Sequence, residues 1–354
     1  MADKYKVIVN KLELELKRMR SEGKMRLPSE QDLCKEFSCS RQTIRAALEV
    51  LLQKGLIVKR RGAGSFISDD TFTSRTVFFM TEDCDRYQSP ALIQGLKEQP
   101  AFSGYDLKSF STGGSIKAGK DILMKVISER PAALIIEPSR DLIPNPNSRI
   151  IEEISDMQIP VIFCNSILGP IHVVPDNEEG ARELTKHLID TGRKKIACIF
   201  RMDDSTGRDR YQGYIKALLD SDSEFDESAC LLLSYHEEKD IISGKDKKLE
   251  AFVNEISSSC DAVICQNGMI ANQLVNMLLK KKISVPDDIA VGCFDNGLYS
   301  ENCAAGLMTM GYDNNLFCRS LAVTITALAE GRRSAKSVKV PMRLTETFSN
   351  PVLY

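Results

Sequence analysis

The chain has 354 residues, longer than the roughly 100–200 of one ordinary domain, so two or three domains are expected. With 43% hydrophobic and 27% charged residues and only 21 Gly and 13 Pro, its composition is globular, which excludes collagenous, low-complexity and disordered classes. The net charge of −2 conceals an asymmetry: residues 1–68 carry 15 Lys plus Arg against 8 Asp plus Glu, giving +7, while the remainder carries 32 against 41, giving −9.

In chain order, Tyr5, Ile8, Leu12, Leu16 and Met19 recur at spacings of three and four, which predicts an amphipathic helix ending near Gly23. Ser29 is placed to cap a second helix that buries Leu33 and Phe37 and stops at Ser38-Cys39. Ser40 caps a third, Arg41 to Gln53, with Ile44, Ala47, Leu48, Leu51 and Leu52 facing inward and Arg41, Gln42, Thr43 and Arg45 crowding its first turn. After Gly55, the runs Leu56 to Lys59 and Ser65 to Ile67 read as two strands around the basic, glycine-bearing tip Arg60-Arg61-Gly62-Ala63-Gly64. Helix, helix, turn, helix, hairpin is the order of a winged helix-turn-helix, assigned here to residues 1–68.

The polar, aperiodic stretch that follows suits a linker at residues 69–75. From residue 76 to 354 the rhythm changes. Apolar runs at Val77 to Met80, Ala133 to Ile136, Val161 to Cys164, Ile196 to Phe200, Ala262 to Cys265 and Ile289 to Phe294 alternate with helical stretches such as Ala181 to Ile189 and Met269 to Leu279. Strands buried on both faces with helices between them predict a parallel, doubly wound α/β body, and its size predicts two lobes.

The first turn of the third helix offers two guanidinium forks, an amide and a hydroxyl, the groups that read base edges from the start of a helix lying in the major groove. Lys59, Arg60 and Arg61 can neutralise phosphates, and Gly62 and Gly64 let the backbone approach a duplex. The bland alternative is an exposed helix start beside a solvated basic face; the charge, the capped third helix and the basic hairpin together favour double-stranded DNA as partner. In open α/β sheets ligands bind beyond the carboxyl ends of the strands, which singles out Glu82, Asp83, Glu137, Asn165, Asp203, Asp204, Gln266, Asn267, Asp295 and Asn296, with Arg210 nearby. Each alone is an ordinary strand-end cap or turn former. As a set of carboxylates and amides they suit a neutral, polyhydroxylated ligand. With no Trp in the chain, stacking under a sugar ring falls to Tyr87, Phe163 or Tyr235.

Other chemistries find little support. Eleven cysteines form no CxxC pair and His172, His187 and His236 are scattered, so reduced thiols are expected, with no metal and no cofactor. Neither a dinucleotide fingerprint nor a P-loop is present, and no recognisable nucleophile motif points to an enzyme. No apolar run reaches the roughly 18 residues of a membrane span, and the charged N-terminus lacks a signal-peptide core, so a cytoplasmic location without membrane partners is expected.

Leu27-Pro28-Ser29-Glu30, Ser40-Arg41-Gln42-Thr43-Ile44-Arg45, Ala47-Leu48, Gly55-Leu56-Ile57 and Gly62-Ala63-Gly64-Ser65-Phe66-Ile67 resemble the GntR-family pattern across residues 4 to 67. The resemblance implies DNA contacts at Glu30, Arg41, Gln42, Thr43, Arg45 and Gly64, and Lys4 at the start of the first helix is added as a candidate. In the body, Val174-Pro175-Asp176-Asn177, Arg210-Tyr211-Gln212-Gly213-Tyr214 and Val285-Pro286-Asp287-Asp288-Ile289 are among successive stretches similar to LacI/GalR effector domains. That resemblance implies a two-lobed, type I periplasmic-binding-protein-like fold with effector contacts at Asn165, Thr206, Arg210, Gln266 and Asp295. A GntR-type head on such a body resembles the arabinose-responsive repressors, as do Ile135 to Ser139 and Ile199 to Gly207. It implies a homodimeric repressor on a pseudo-palindromic operator, released by a monosaccharide, L-arabinose first. The rivals are a repressor answering to another sugar, a sugar phosphate or a purine, and a sugar kinase or dehydrogenase bearing a DNA-binding head.

Overall fold

The structure is a computed structural model that describes residues 4–60, 63–68, 74–85, 88–140, 145–245, 247–294, 302–332 and 335–347. The chain opens with three helices, α1 (Lys4–Ser21), α2 (Glu30–Glu36) and α3 (Arg41–Gln53), followed by an antiparallel hairpin of β1 (Ile57–Arg60) and β2 (Gly64–Ile67). Serine caps fix where the second and third helices begin. Ser29 Oγ accepts the Asp32 amide at 3.2 Å and Ser40 Oγ accepts the Thr43 amide at 3.2 Å, each satisfying a donor the helix cannot. Ile8, Leu12 and Leu16 of α1 pack on Leu33, Ile44, Leu48 and Ile67, so every element of the head contributes to one core. Buried Glu13 accepts from Lys54 Nζ at 2.7 Å, tying α1 to the residue that ends α3.

Two six-stranded sheets form the body. The first contains β3 (Thr76–Thr81), β4 (Asp106–Ser111), β5 (Ala133–Ile136), β6 (Val161–Cys164), β7 (His172–Pro175) and β13 (Val338–Val340), in the order β4-β3-β5-β6-β7-β13 with every pair parallel. The second contains β8 (Ile196–Arg201), β9 (Cys230–Leu233), β10 (Ala262–Cys265), β11 (Ala290–Phe294), β12 (Leu307–Tyr312) and β14 (Met342–Thr347). Its order is β9-β8-β10-β11-β12-β14, parallel except for the antiparallel β12–β14 pair. Between the strands run α4 (Ser89–Lys97), α5 (Ile116–Glu129), α6 (Ser148–Asp156), α7 (Asn177–Asp190), α8 (Ser205–Asp220), α9 (Tyr235–Ile242), α10 (Lys248–Ile256), α11 (Gly268–Lys280) and α12 (Asn314–Ala329). Both faces of each sheet are covered, with Val77, Phe79 and Ile135 packed on one side of the first sheet and Phe78, Leu134 and Ile136 on the other.

Among the described residues the chain passes between the sheets three times. It leaves β7 for α7, which packs on the second sheet; it leaves β12 for α12, which packs on the first; and it runs from β13 to β14 across Pro341. All three passages lie at the β7–β13 edge of one sheet and the β12–β14 edge of the other. This concentrates the connections at one side of the cleft and leaves the β4 and β9 sides joined only by side chains.

Each apolar run singled out in the sequence is a strand, while β4, β7, β9, β12, β13 and β14 add to that expectation. β4 reads Asp-Leu-Lys-Ser-Phe-Ser, an edge strand with only Leu107 fully buried, so it carries no apolar run. β14 is antiparallel and enters after a helix of the other lobe, an order that local patterning does not contain.

Candidate functional site

In the head, Ile44, Ala47, Leu48 and Leu51 turn one face of α3 inward, and this leaves Arg41, Gln42 and Arg45 exposed and Thr43 half-exposed on the opposite side. Arg41 makes no ion pair among the described residues. Arg45 Nε donates to Glu30 Oε2 at 2.9 Å, so two of the sequence candidates meet across the α2–α3 turn. At 68% exposure the Arg45 side chain needs little desolvation to leave that carboxylate for a base edge.

The hairpin pairs Arg60 with Gly64, and the Arg60 guanidinium lies 4.7 Å above the Phe66 ring, which holds its charge outward on a flat apolar platform. Lys59 stands 3.8 Å from Glu49 with both groups exposed. Gly64 has φ +104°, a conformation costly for any residue with a Cβ. Arg61 and Gly62 lie outside the described residues, as does the side chain of Lys4, which opens α1.

The second candidate region is the cleft between the carboxyl ends of the two sheets. On the second sheet, Arg201 ends β8 and gathers three carboxylates: its Nη1 donates to Glu238 at 2.9 Å, its Nη2 to Asp204, and its Nε stands 3.4 Å from Asp203. Glu238 accepts in turn from Asn267 at 2.7 Å. Asp204 also caps α8, taking the Gly207 amide at 2.6 Å. The starts of α8, α9 and α11 are thereby fastened to one guanidinium.

Arg210, buried in α8, donates from Nε to Asn177 at 3.0 Å and from Nη1 to the Gln266 carbonyl, while its guanidinium covers Phe294 at 4.1 Å. Burial pushes its pKa down to about 9. The side-chain amide oxygen of Gln266 is buried and has no hydrogen-bond partner. A buried acceptor left open is uncommon and marks a place where a donor belongs. Asp295 and Asn296, the remaining strand-end candidates on this lobe, lie outside the described residues.

On the first sheet, Glu137 follows β5 and accepts from Thr81 Oγ1 and from Asn165 Nδ2, both at 2.6 Å. Burial raises its pKa above the ordinary carboxylate value, more than those two donors lower it. Asn165 adopts φ +54°, and its carbonyl accepts from Thr206 Oγ1 of α8 at 3.3 Å, so two candidates from opposite lobes touch. Asp83 accepts the Asp85 amide within its own turn at 3.1 Å. Glu82 faces the other lobe, accepting from Tyr235 at 2.6 Å and Lys239 at 2.8 Å. Phe163 is a core residue of the first lobe, and Tyr87 lies outside the described residues. A separate cavity of about 600 Å³ lies between head and body beside Arg20, Arg75 and Glu330, away from the cleft.

Residues 4–67 match the model of the bacterial regulatory proteins of the GntR family, and residues 185–347 match that of the periplasmic-binding-protein-like domain. The chain joins a GntR-family head to a periplasmic-binding-protein-like body. Two similar curated proteins share this span. The arabinose metabolism transcriptional repressor of Halalkalibacterium halodurans is 27% identical over 323 residues, 88% of this chain and 85% of that one. Its counterpart from Geobacillus stearothermophilus is 29% identical over 292 residues, 80% of each chain. Both carry the name of a regulator, not of an enzyme. A solved complex of the transcriptional regulator CelR with cellobiose shares the fold at a TM-score of 0.68 and 18% identity, covering 88% of this chain and 92% of that one.

Against this frame the residues that sequence reasoning missed can be placed. Arg26, exposed, bridges to Phe66, and its guanidinium stands 3.8 Å from where a Cβ on Gly64 would sit, so the GntR-family head carries one more cation beside its wing. Only the long-range pairing brings it there. In the body, Arg201 and Glu238 organise the cleft: Arg201 directly follows the run Ile196 to Phe200 but was passed over for the carboxylates after it, and Glu238 lies inside a helix, where the strand-end rule does not look. The eleven cysteines are all free, five buried and six half-buried, and no cluster of His, Cys, Asp and Glu able to hold a metal occurs among the described residues. No described helix is long and apolar enough to cross a membrane.

Proposed function

We propose that this chain is a sugar-responsive transcriptional repressor, a homodimer that binds a pseudo-palindromic operator through its heads and is released by a monosaccharide, L-arabinose before other pentoses. The single observation that carries the effector class is the state of the charges in the cleft. The buried Gln266 amide oxygen stands open, while the charges of Arg201, Arg210 and Lys239 are already engaged by protein groups, as is the Glu137 carboxyl. A phosphorylated ligand requires an uncommitted cation; a neutral polyol supplies the hydroxyl donors that open acceptors need. The names of the two bacterial relatives support arabinose within that class.

Two heads related by a two-fold axis match half-sites related by the same axis, and the exposed first turn of α3 supplies base contacts while Lys59, Arg60 and the wing supply phosphate contacts. The sugar binds between the lobes and favours their closure, and closure alters the spacing of the heads. For a hundredfold loss of operator affinity the sugar must favour the closed form by about 2.7 kcal/mol, and the operator then weakens sugar binding equally. A thermal-shift panel of pentoses, hexoses, their phosphates and nucleobases tests the effector. L-arabinose at a hundred times its dissociation constant adds about 2.7 kcal/mol of stability and releases operator DNA. A larger shift with a phosphate ester or a purine overturns the choice of effector, and turnover of a sugar with ATP or NAD overturns the repressor reading.

A further inference from the structure

The three passages between the lobes lie at the β7–β13 and β12–β14 edges, so the far side of the cleft, beyond β3, β4, β8 and β9, is its mouth. Across that mouth the lobes are joined by one compact group. From the second lobe, Tyr235 at the start of α9 donates its hydroxyl to Glu82 at 2.6 Å, and Lys239, one turn later, donates to the same Glu82 oxygen at 2.8 Å and to the Tyr235 oxygen at 2.9 Å. From the first lobe, the Arg140 guanidinium lies 5.3 Å over the Tyr235 ring and donates to the Gly114 carbonyl at 3.4 Å. Gly114 itself makes room. A Cβ there would meet the Tyr235 hydroxyl at 2.2 Å, and its φ of +75° also favours glycine.

We infer that Glu82, Tyr235 and Lys239 form a gate across the mouth of the cleft, admitted by the absent side chain at Gly114, which holds the lobes shut and sets how long an effector stays inside. The inference rests on reading the cleft as the effector site, and it moves Glu82 from ligand contact to closure. These bonds act farthest from the connecting strands, where a given opening of the lobes separates groups the most, so they break first as the lobes part. Tyr235 and Lys239 act as positioning residues: a gate bond present only in the closed form raises the closed fraction, and apparent effector affinity scales with that fraction.

The test uses the full-length chain and the variants Y235F, K239A and G114A, each with one spin label on a non-natural residue at Lys120 of α5 and another at Lys280 of α11, diluted into unlabelled chain. The distance between labels is measured without sugar, and the dissociation of L-arabinose by stopped flow. The parent chain is expected to show mainly the short distance without sugar. All three variants shift toward the long distance and release L-arabinose about fivefold faster, with Lys239→Arg restoring both readouts. Variants that melt like the parent chain yet keep its distance distribution overturn the gate, as does a parent chain that stands open without sugar. Failure of L-arabinose to bind the parent chain counts against the effector reading instead, and the distances still decide the gate.

Discussion

The arginines near the exposed face of α3 and its hairpin and those in the cleft of the body live in opposite circumstances. On the head, Arg41 is exposed without an ion pair among the described residues, Arg45 is 68% exposed on a single carboxylate, and Arg60 rests on Phe66. In the body, Arg201 is 15% exposed among three carboxylates, and Arg210 is buried against an amide, a carbonyl and an aromatic ring. Exposed cations remain available to a polyanion and act by releasing its counterions. Those in the cleft have their charge balanced by protein groups and fix how the surrounding helices and strands meet. The same residue type thus serves affinity at one end of the chain and preorganisation at the other.

Salt is the strongest lever on this contrast. With six or more phosphate contacts per dimer, operator affinity is expected to fall by about 10³ between roughly 50 and 200 mM salt, while sugar affinity changes less than about twofold. Equal salt dependence of the two, measured by anisotropy and calorimetry, breaks the comparison. Next comes Arg210→Ala, which leaves the Asn177 side-chain oxygen and the Gln266 carbonyl without their donor. It is expected to cost about 2–3 kcal/mol in denaturant titrations and to abolish release by sugar while operator binding persists. Normal induction by that variant counts against the pocket.

Arg45→Ala is expected to weaken operator binding by about 10- to 100-fold, with stability changed by no more than about 0.5 kcal/mol because Arg45 itself is exposed and its Glu30 partner only half-buried. A variant that binds operator normally overturns the assignment of α3. The smallest effect belongs to Glu137→Gln. Because burial raises the Glu137 pKa in the folded chain, the stability tied to its protonated form is present at low pH and is lost as pH rises through that raised value. The glutamine variant therefore gains on the parent chain as pH rises from about 4 to about 8 in chemical denaturation, and parallel pH curves exclude the burial argument.

The head was legible because its punctuation is local. Ser29 and Ser40 cap within three residues of themselves, and the period of Ile44, Leu48 and Leu51 defines an inward face. The central strands of the body were legible because burial on both faces writes unbroken apolar runs, whereas β4 at an edge and the three-residue β13 write none. In the cleft, the rule that ligands meet strand ends pointed to residues that do gather between the two sheets but not to the contacts each one makes there. Asp204 caps α8 and holds Arg201, and Glu82 reaches Tyr235, 153 positions away. Such divisions depend on which side chains meet in three dimensions, and residue type at a strand end is silent on that.

The late strands β13 and β14 bear on how the molecule is made. Each sheet receives its outermost strand on the passage side only after residue 337, so neither lobe is complete until that stretch has been synthesised. The head, by contrast, draws its whole core from the first 67 residues and is free to fold as soon as they emerge, in keeping with the tendency of N-terminal domains to fold first. During translation the part that addresses the chromosome is therefore finished well before the part that listens to the cell. A chain broken off before β13 keeps its address and loses its hearing.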